Sequence, residues 1–225
     1  MDFLPRLPKE PARDYALRFL KHNIINLHLL PGSMVSASEL AEATGLSKTP
    51  VREAMQELEK TGILEIFPQA GSRISFISYD IIHESSFIRL ALELKTVDLA
   101  CECFDSGMEQ GFEQILAMQE SCHQEGRNDQ FLALDHLFHR QIYVATGKML
   151  THQTLERCLL HFDRLRSISF NAVSVGQFVK DHHDIYNAMR RHDKSLAKKL
   201  VKRHLTRYLR DEKIIRAKYP QYFAE

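Results

Sequence analysis

At 225 residues the chain is too long for one small module and suits two domains, each able to bury a core of its own. Thirty Lys and Arg stand against 29 Asp and Glu, and residues 1–77 carry nine basic and nine acidic side chains, so no basic excess advertises nucleic acid and any DNA contact must come from a local patch. No apolar run approaches a membrane span, MDFLPRLPKEP has neither a signal nor a transit pattern, and Cys101, Cys103, Cys122 and Cys158 form no CxxC pair; the expectation is a cytoplasmic protein with free thiols and no membrane partner.

The proline-bearing first ten residues read as a loose arm. From Ala12 to His28 apolar side chains recur at spacings of three and four, predicting an amphipathic helix ended by Pro31 and Gly32. Ser36 and Glu39 stand at capping-box spacing, opening a short helix that Gly45 closes. Ser47 is placed to cap a second helix running to about Lys60, with Pro50 in its first turn. Val51, Met55 and Leu58 form its buried stripe, which leaves Lys48, Thr49, Arg52 and Gln56 free to meet DNA. Two such helices joined by a tight turn make a helix-turn-helix. The following ILEIFPQAGSRISFI reads as a β-hairpin, so residues 1–77 are expected to form a winged helix, with Gly71 letting the wing tip approach phosphate.

The run SASELAEATGLSKTPVREAMQELEKTGILEIFPQAGSRI resembles the winged helix of the GntR family of bacterial transcription regulators. The resemblance implies that Lys48, Thr49, Arg52 and Gly71 contact double-stranded DNA. Lys48 stands where Arg is common in the family and Ser38 where many relatives carry another Arg. Lysine is a point charge without a fork, which leaves Arg52 as the better bidentate base reader.

From Tyr79 onward only helical periodicity is visible. Helices are predicted at about Asp80–Phe104, Met108–Glu125, Asn128–Thr146, Leu150–Phe170, Val175–Arg191 and Lys194–Lys218. The fold class is therefore mainly α: a winged helix-turn-helix over residues 1–77, then an all-α antiparallel bundle over 78–225.

Histidines crowd the second half. Asp135 and His139 stand one helical turn apart and can address one ion, with His136 competing. His182–His183 and His204 lie in two later helices. A carboxylate and three imidazoles converging from three helices would suit a divalent transition metal ion (zinc, nickel, manganese or iron) and leave positions open for a small ligand. Residues 80–217 are similar to the FCD effector domain of the FadR-type branch of that family, through D-x-x-x-H at Asp135 and His139, DHHDIYNAM and KKLVKRHL. The likeness implies metal ligands at Asp135, His139, His182 and His204, with His183 a neighbour. Arg89 and Glu93 resemble the family's R-x-x-x-E. Arg89 either reaches into the cavity to bind an anionic effector or pairs with Glu93 on a helix surface. His161 and Arg164 are weaker candidates for the same cavity wall. The basic residues from Lys194 to Arg210 are expected to form a solvated face rather than a second DNA patch.

These features imply a transcription regulator, expected to be a repressor that binds a palindromic operator as a homodimer and senses a small carboxylate through its metal site. The alternatives are a metal-dependent hydrolase or lyase recruited to DNA by the N-terminal domain, and a regulator whose bundle only dimerises. The hydrolase needs a general base beside the metal, for which spacing offers only His136 and His183.

Overall fold

The computed structural model describes residues 1–172 and 175–223. Its N-terminal part contains α1 (Ala12–Ile25), β1 (Met34–Val35), α2 (Ala37–Thr44), α3 (Lys48–Glu59), β2 (Leu64–Phe67) and β3 (Gly71–Ile74). The capping box at Ser36 and Glu39 forms with both reciprocal hydrogen bonds, and Gly45 takes the left-handed conformation that ends α2. Ser47, by contrast, makes no side-chain cap bond to α3. Helix α1 stops at Ile25 rather than His28, because Leu27 turns to φ +61° and the Asn26 side chain bonds the carbonyl of His22.

The wing is a hairpin of β2 and β3, with Glu65 facing Arg73 across the pair at 2.6 Å. A third strand went unforeseen: the two residues of β1 add antiparallel to β3, giving the order β1-β3-β2. Two residues carry too little alternation to be read as a strand. Gly71 opens β3 at φ +102°, a backbone conformation that strains any L side chain, and an added Cβ would also press on the end of the Met34 side chain at 3.3 Å. Phe19, Leu20 and Ile24 of α1 and Leu40, Val51, Met55 and Leu58 of the two following helices are all buried.

The remainder is helical: α4 (Tyr79–Cys103), α5 (Ser106–Gln124), α6 (Asn128–Ala145), α7 (Met149–Cys158), α8 (Leu160–Ala172), α9 (Gly176–Arg190), α10 (Lys194–Leu205) and α11 (Tyr208–Lys218). Two expected helices are each divided. The chain breaks at Leu159 because adjacent leucines serve different cores: Leu159 packs with Leu155 and Phe162 in the bundle, whereas Leu160 joins the winged-helix core. The second break, at Thr206 and Arg207, follows a Thr206 hydroxyl that bonds back to the carbonyl of Lys202. It lets α10 pack on α4 and α9 while α11 packs on α8. Among the described residues no helix is long and apolar enough to cross a membrane.

Candidate metal and effector site

Helix α6 turns Phe131, Phe138 and Ile142 into the bundle, and Asp135 and His139 occupy positions on the same buried face. His182 sits likewise among Phe178, Ile185 and Met189 on α9, and His204 among Leu200, Val201 and Leu205 on α10. Polar groups at core positions cost free energy unless they are partnered. Here they partner one another: potential ligand atoms of Asp135, His139, His182 and His204 all lie within 4.8 Å. His204 Nε2 is 3.2 Å from His139 Nε2 and 3.3 Å from His182 Nε2. Asp135 lies 3.5 Å from His182 Nε2 and 3.8 Å from His139 Nε2.

The outer nitrogens fix the tautomers. His182 Nδ1 donates to Gln119 Oε1 at 2.8 Å, and Gln119 is oriented by donating its amide to the Leu134 carbonyl at 2.9 Å. His139 Nδ1 stands 2.6 Å from Glu93 Oε2, and His204 Nδ1 3.5 Å from Asp181 Oδ2. Carboxylates only accept, so each ring carries its proton on Nδ1 and turns an Nε2 lone pair inward. Burial holds the rings neutral: it pushes His182 well below its ordinary range, His204 down to about 3, and lowers His139. Although burial opposes it, the Arg89 charge and the Nδ1–H of the neutral His139 ring hold the Glu93 carboxyl below the usual carboxylate range. Asp181 is likewise lowered against its burial, through hydrogen bonds from His204 and Arg207.

Three inward lone pairs at hydrogen-bond distance with no proton to share repel one another, and Asp135 Oδ1 accepts no hydrogen bond while Oδ2 meets the Arg166 guanidinium. A divalent cation would satisfy all four groups, so the donor set fits the N3O site expected from the sequence. Among the described residues Asp2, His22 and His28 form a second such group, exposed or half-buried at the start of the chain.

His136 is not part of the cluster, because its Nε2 pairs with Asp163 at 3.1 Å. His183 points away, 2.8 Å from Glu120. Arg89 is neither of the expected extremes: it is buried, pairs with Glu93 at 2.6 Å, lies over the Phe162 ring, and also lines a cavity of about 30 Å³ with Asp135 and His204. His161 and Arg164 do not line that cavity. Arg164 instead reaches the end of the wing, donating to the Ser75 carbonyl at 2.5 Å, the Ser75 hydroxyl at 3.2 Å and the Phe76 carbonyl at 3.3 Å. His161 Nε2 donates to the Thr61 carbonyl at 3.2 Å, so its Nδ1 accepts from Arg164 at 2.9 Å. Of the basic residues late in the chain, Lys194, Lys198 and Arg203 pair with Glu102, Asp98 and Asp181. Spacing missed Gln119, Asp181 and Arg166. Only Asp181, next to His182, left a trace in the sequence.

Lys48, Thr49, Arg52 and Gln56 are all exposed on α3, as the buried stripe required, and Gly71 is exposed at the wing. Residues 16–74 match the model of the bacterial regulatory proteins of the gntR family, and residues 84–207 match the FCD domain. The chain belongs to the GntR family, with an FCD domain. It is similar to an uncharacterized HTH-type transcriptional regulator in an unstable DNA locus of Streptomyces ambofaciens, at 30% identity over 94% of this chain and 89% of the relative. The HTH-type transcriptional repressor RspR of Escherichia coli is 28% identical over 97% of this chain and 96% of its own. In fold the chain resembles E. coli McbR/YncC, with a TM-score of 0.80 at 21% identity over 93% of this chain and 99% of that one. This GntR protein is thus a transcriptional regulator, which displaces the hydrolase or lyase alternative.

Proposed function

We propose that this regulator is a cytoplasmic repressor that binds a palindromic DNA operator as a homodimer and is modulated by a small carboxylate held at a metal site in its helical domain. Residues 1–77 form the DNA-binding domain in this reading and residues 78–225 the metal and effector domain. Lys48, Thr49 and Arg52 contact DNA from α3, and Gly71 brings the wing backbone to phosphate. Helix α4 leaves Ile81, Phe87 and Ile88 exposed, apolar surface that a second copy would cover.

The observation that carries the sensor is the convergence of three Nε2 lone pairs and a buried carboxylate from α6, α9 and α10. Asp135, His139, His182 and His204 would hold a zinc, nickel, manganese or iron ion. When bound, such an ion supplies Lewis acidity and open positions for a carboxylate oxygen. Glu93, Gln119 and Asp181 keep the three rings in the ligating tautomer. Arg89, on the cavity wall, meets the effector's charge.

Elemental analysis of untagged protein tests this beside the double variant His182→Ala, His204→Ala, each titrated with small carboxylates. One metal per chain, lost in the variant together with carboxylate binding, is expected. Protein that takes up no metal after reconstitution would overturn the reading.

A further inference from the structure

Arg166 is the residue at this site that the metal and tautomer arguments leave unused. Its guanidinium lies directly against the Asp135 carboxylate. It also donates to Asp163 Oδ1 at 3.2 Å, sits over the Phe170 ring at 5.7 Å, and is buried. A cation and the guanidinium thus address the same carboxylate. Two small cavities flank the cluster, of about 30 Å³ and about 10 Å³. The first lies on the side of His204, Phe178 and Tyr208, the second on the side of His139, Tyr143 and His152. Only Arg89 and Arg166 line both, so these two guanidiniums form the partition between them. Arg89 is tied to the single carboxylate of Glu93, whereas Arg166 divides its guanidinium between Asp135 and Asp163.

We propose that Arg166 competes with the metal for Asp135 and, once displaced from it, opens the partition and becomes the second guanidinium that binds the effector's carboxylate. This rests on the metal-site reading and adds an order of events to it: Arg166 leaves Asp135 first, and the anion binds afterwards. Asp163 is the pivot, since it holds Nη1 while Nη2 changes partner. Each cavity alone holds about one water, too little for a carboxylic acid. The two joined through the space of a displaced guanidinium make a path beside both the donor cluster and Arg89.

The inference requires one substitution to move two affinities in opposite directions. In Arg166→Gln the competitor is gone, so zinc alone, titrated against a chromophoric chelator, should bind about tenfold or more tightly, the equivalent of one charged hydrogen bond. Acetate and succinate, titrated calorimetrically into the zinc-loaded variant, should bind about tenfold or more weakly than to the parent. Arg166→Lys keeps charge and bulk without the fork and should fall between on both measures. In the parent protein, the Arg166 Nε–H resonance, assigned by its loss in Arg166→Lys, should shift on adding zinc alone; this remains measurable should Arg166→Gln fail to fold. A folded Arg166→Gln variant with unchanged or weaker zinc affinity, or a resonance that zinc does not move, overturns the proposal. A parent protein that binds no zinc overturns instead the metal-site reading beneath it.

Discussion

On α3, Lys48 and Arg52 stand one turn apart on the exposed side of a helix whose Val51, Met55 and Leu58 are buried. Among the described residues neither has an ion-pair partner within the chain. Their chemistry separates their expected roles. A guanidinium can bridge guanine O6 and N7, so Arg52→Ala should cost about 1–3 kcal/mol on the cognate operator and relax preference at one base pair. Lysine delivers charge without a fork, so Lys48→Ala should weaken all sequences alike and reduce the salt slope of binding by about 1. Fluorescence anisotropy on cognate and scrambled duplexes at several salt concentrations measures both. Equal specificity loss in the two variants would show that Lys48 also reads bases. The four residues of the donor cluster were legible in two steps: spacing offered Asp135 with His139, the pair His182–His183 and His204, and the resemblance to the FCD domain chose among them. Their supports were not: Gln119 and Glu93 reach the rings from other helices, and contact between helices has no period in the sequence.

At the scale of elements, α8 joins the two halves. Arg164 is fully buried and among the described residues has no carboxylate partner, and burial lowers it only to about 10, so it stays charged at neutral pH and rests on oxygens at the end of the wing. His161 completes the joint and must be neutral to accept from Arg164. Burial, with the Arg164 charge added, pushes its pKa from 6.5 down to about 4. The folded state therefore binds fewer protons than the unfolded state between those values, and stability falls as the pH drops. The His161 contribution is whole above about pH 6.5 and is lost as pH falls toward 4. In urea unfolding, the stability lost between pH 7 and pH 5 should be about 2 kcal/mol smaller in His161→Gln than in the parent. The other buried histidines titrate in both proteins and cancel in that difference, so equal losses would remove His161 from the joint. The chain signalled α2, α3 and the wing through a capping box, a glycine and alternation, all local devices. It did not signal the break at Leu159, which has no Gly or Pro and exists because Leu159 and Leu160 are drawn into two cores.

For the molecule as a whole, a signal in the bundle reaches DNA only if the segment between wing and α4 is held against both. Besides Arg164, the end of the chain holds it. The Ile77 amide donates to the Tyr222 carbonyl at 2.8 Å, and Ile77 forms a parallel bridge with Phe223. Phe223 stacks on Tyr79 at 5.4 Å and 18°, and the Arg216 guanidinium lies 4.3 Å over the Tyr79 ring. Ile77 and Phe223 are buried together with Tyr208 and Ile215 of α11, so this clamp belongs to the bundle's core. Phe223→Ala removes the stack on Tyr79 and the ring under Arg216, while leaving α3 and the donor cluster untouched. Loss of a buried phenyl group costs about 3–5 kcal/mol where its site cannot collapse, and less at an edge such as this one. Amide hydrogen exchange should then show lower protection at Ile77 in the variant, with protection in α3 and α6 unchanged. Bundle and winged helix would each stay folded but be less strictly oriented, so operator affinity should fall while zinc binding is retained. Unchanged exchange at Ile77 would mean that Leu160, His161 and Arg164 of α8 hold the joint, and the coupling would then run through α8 without the C-terminal segment.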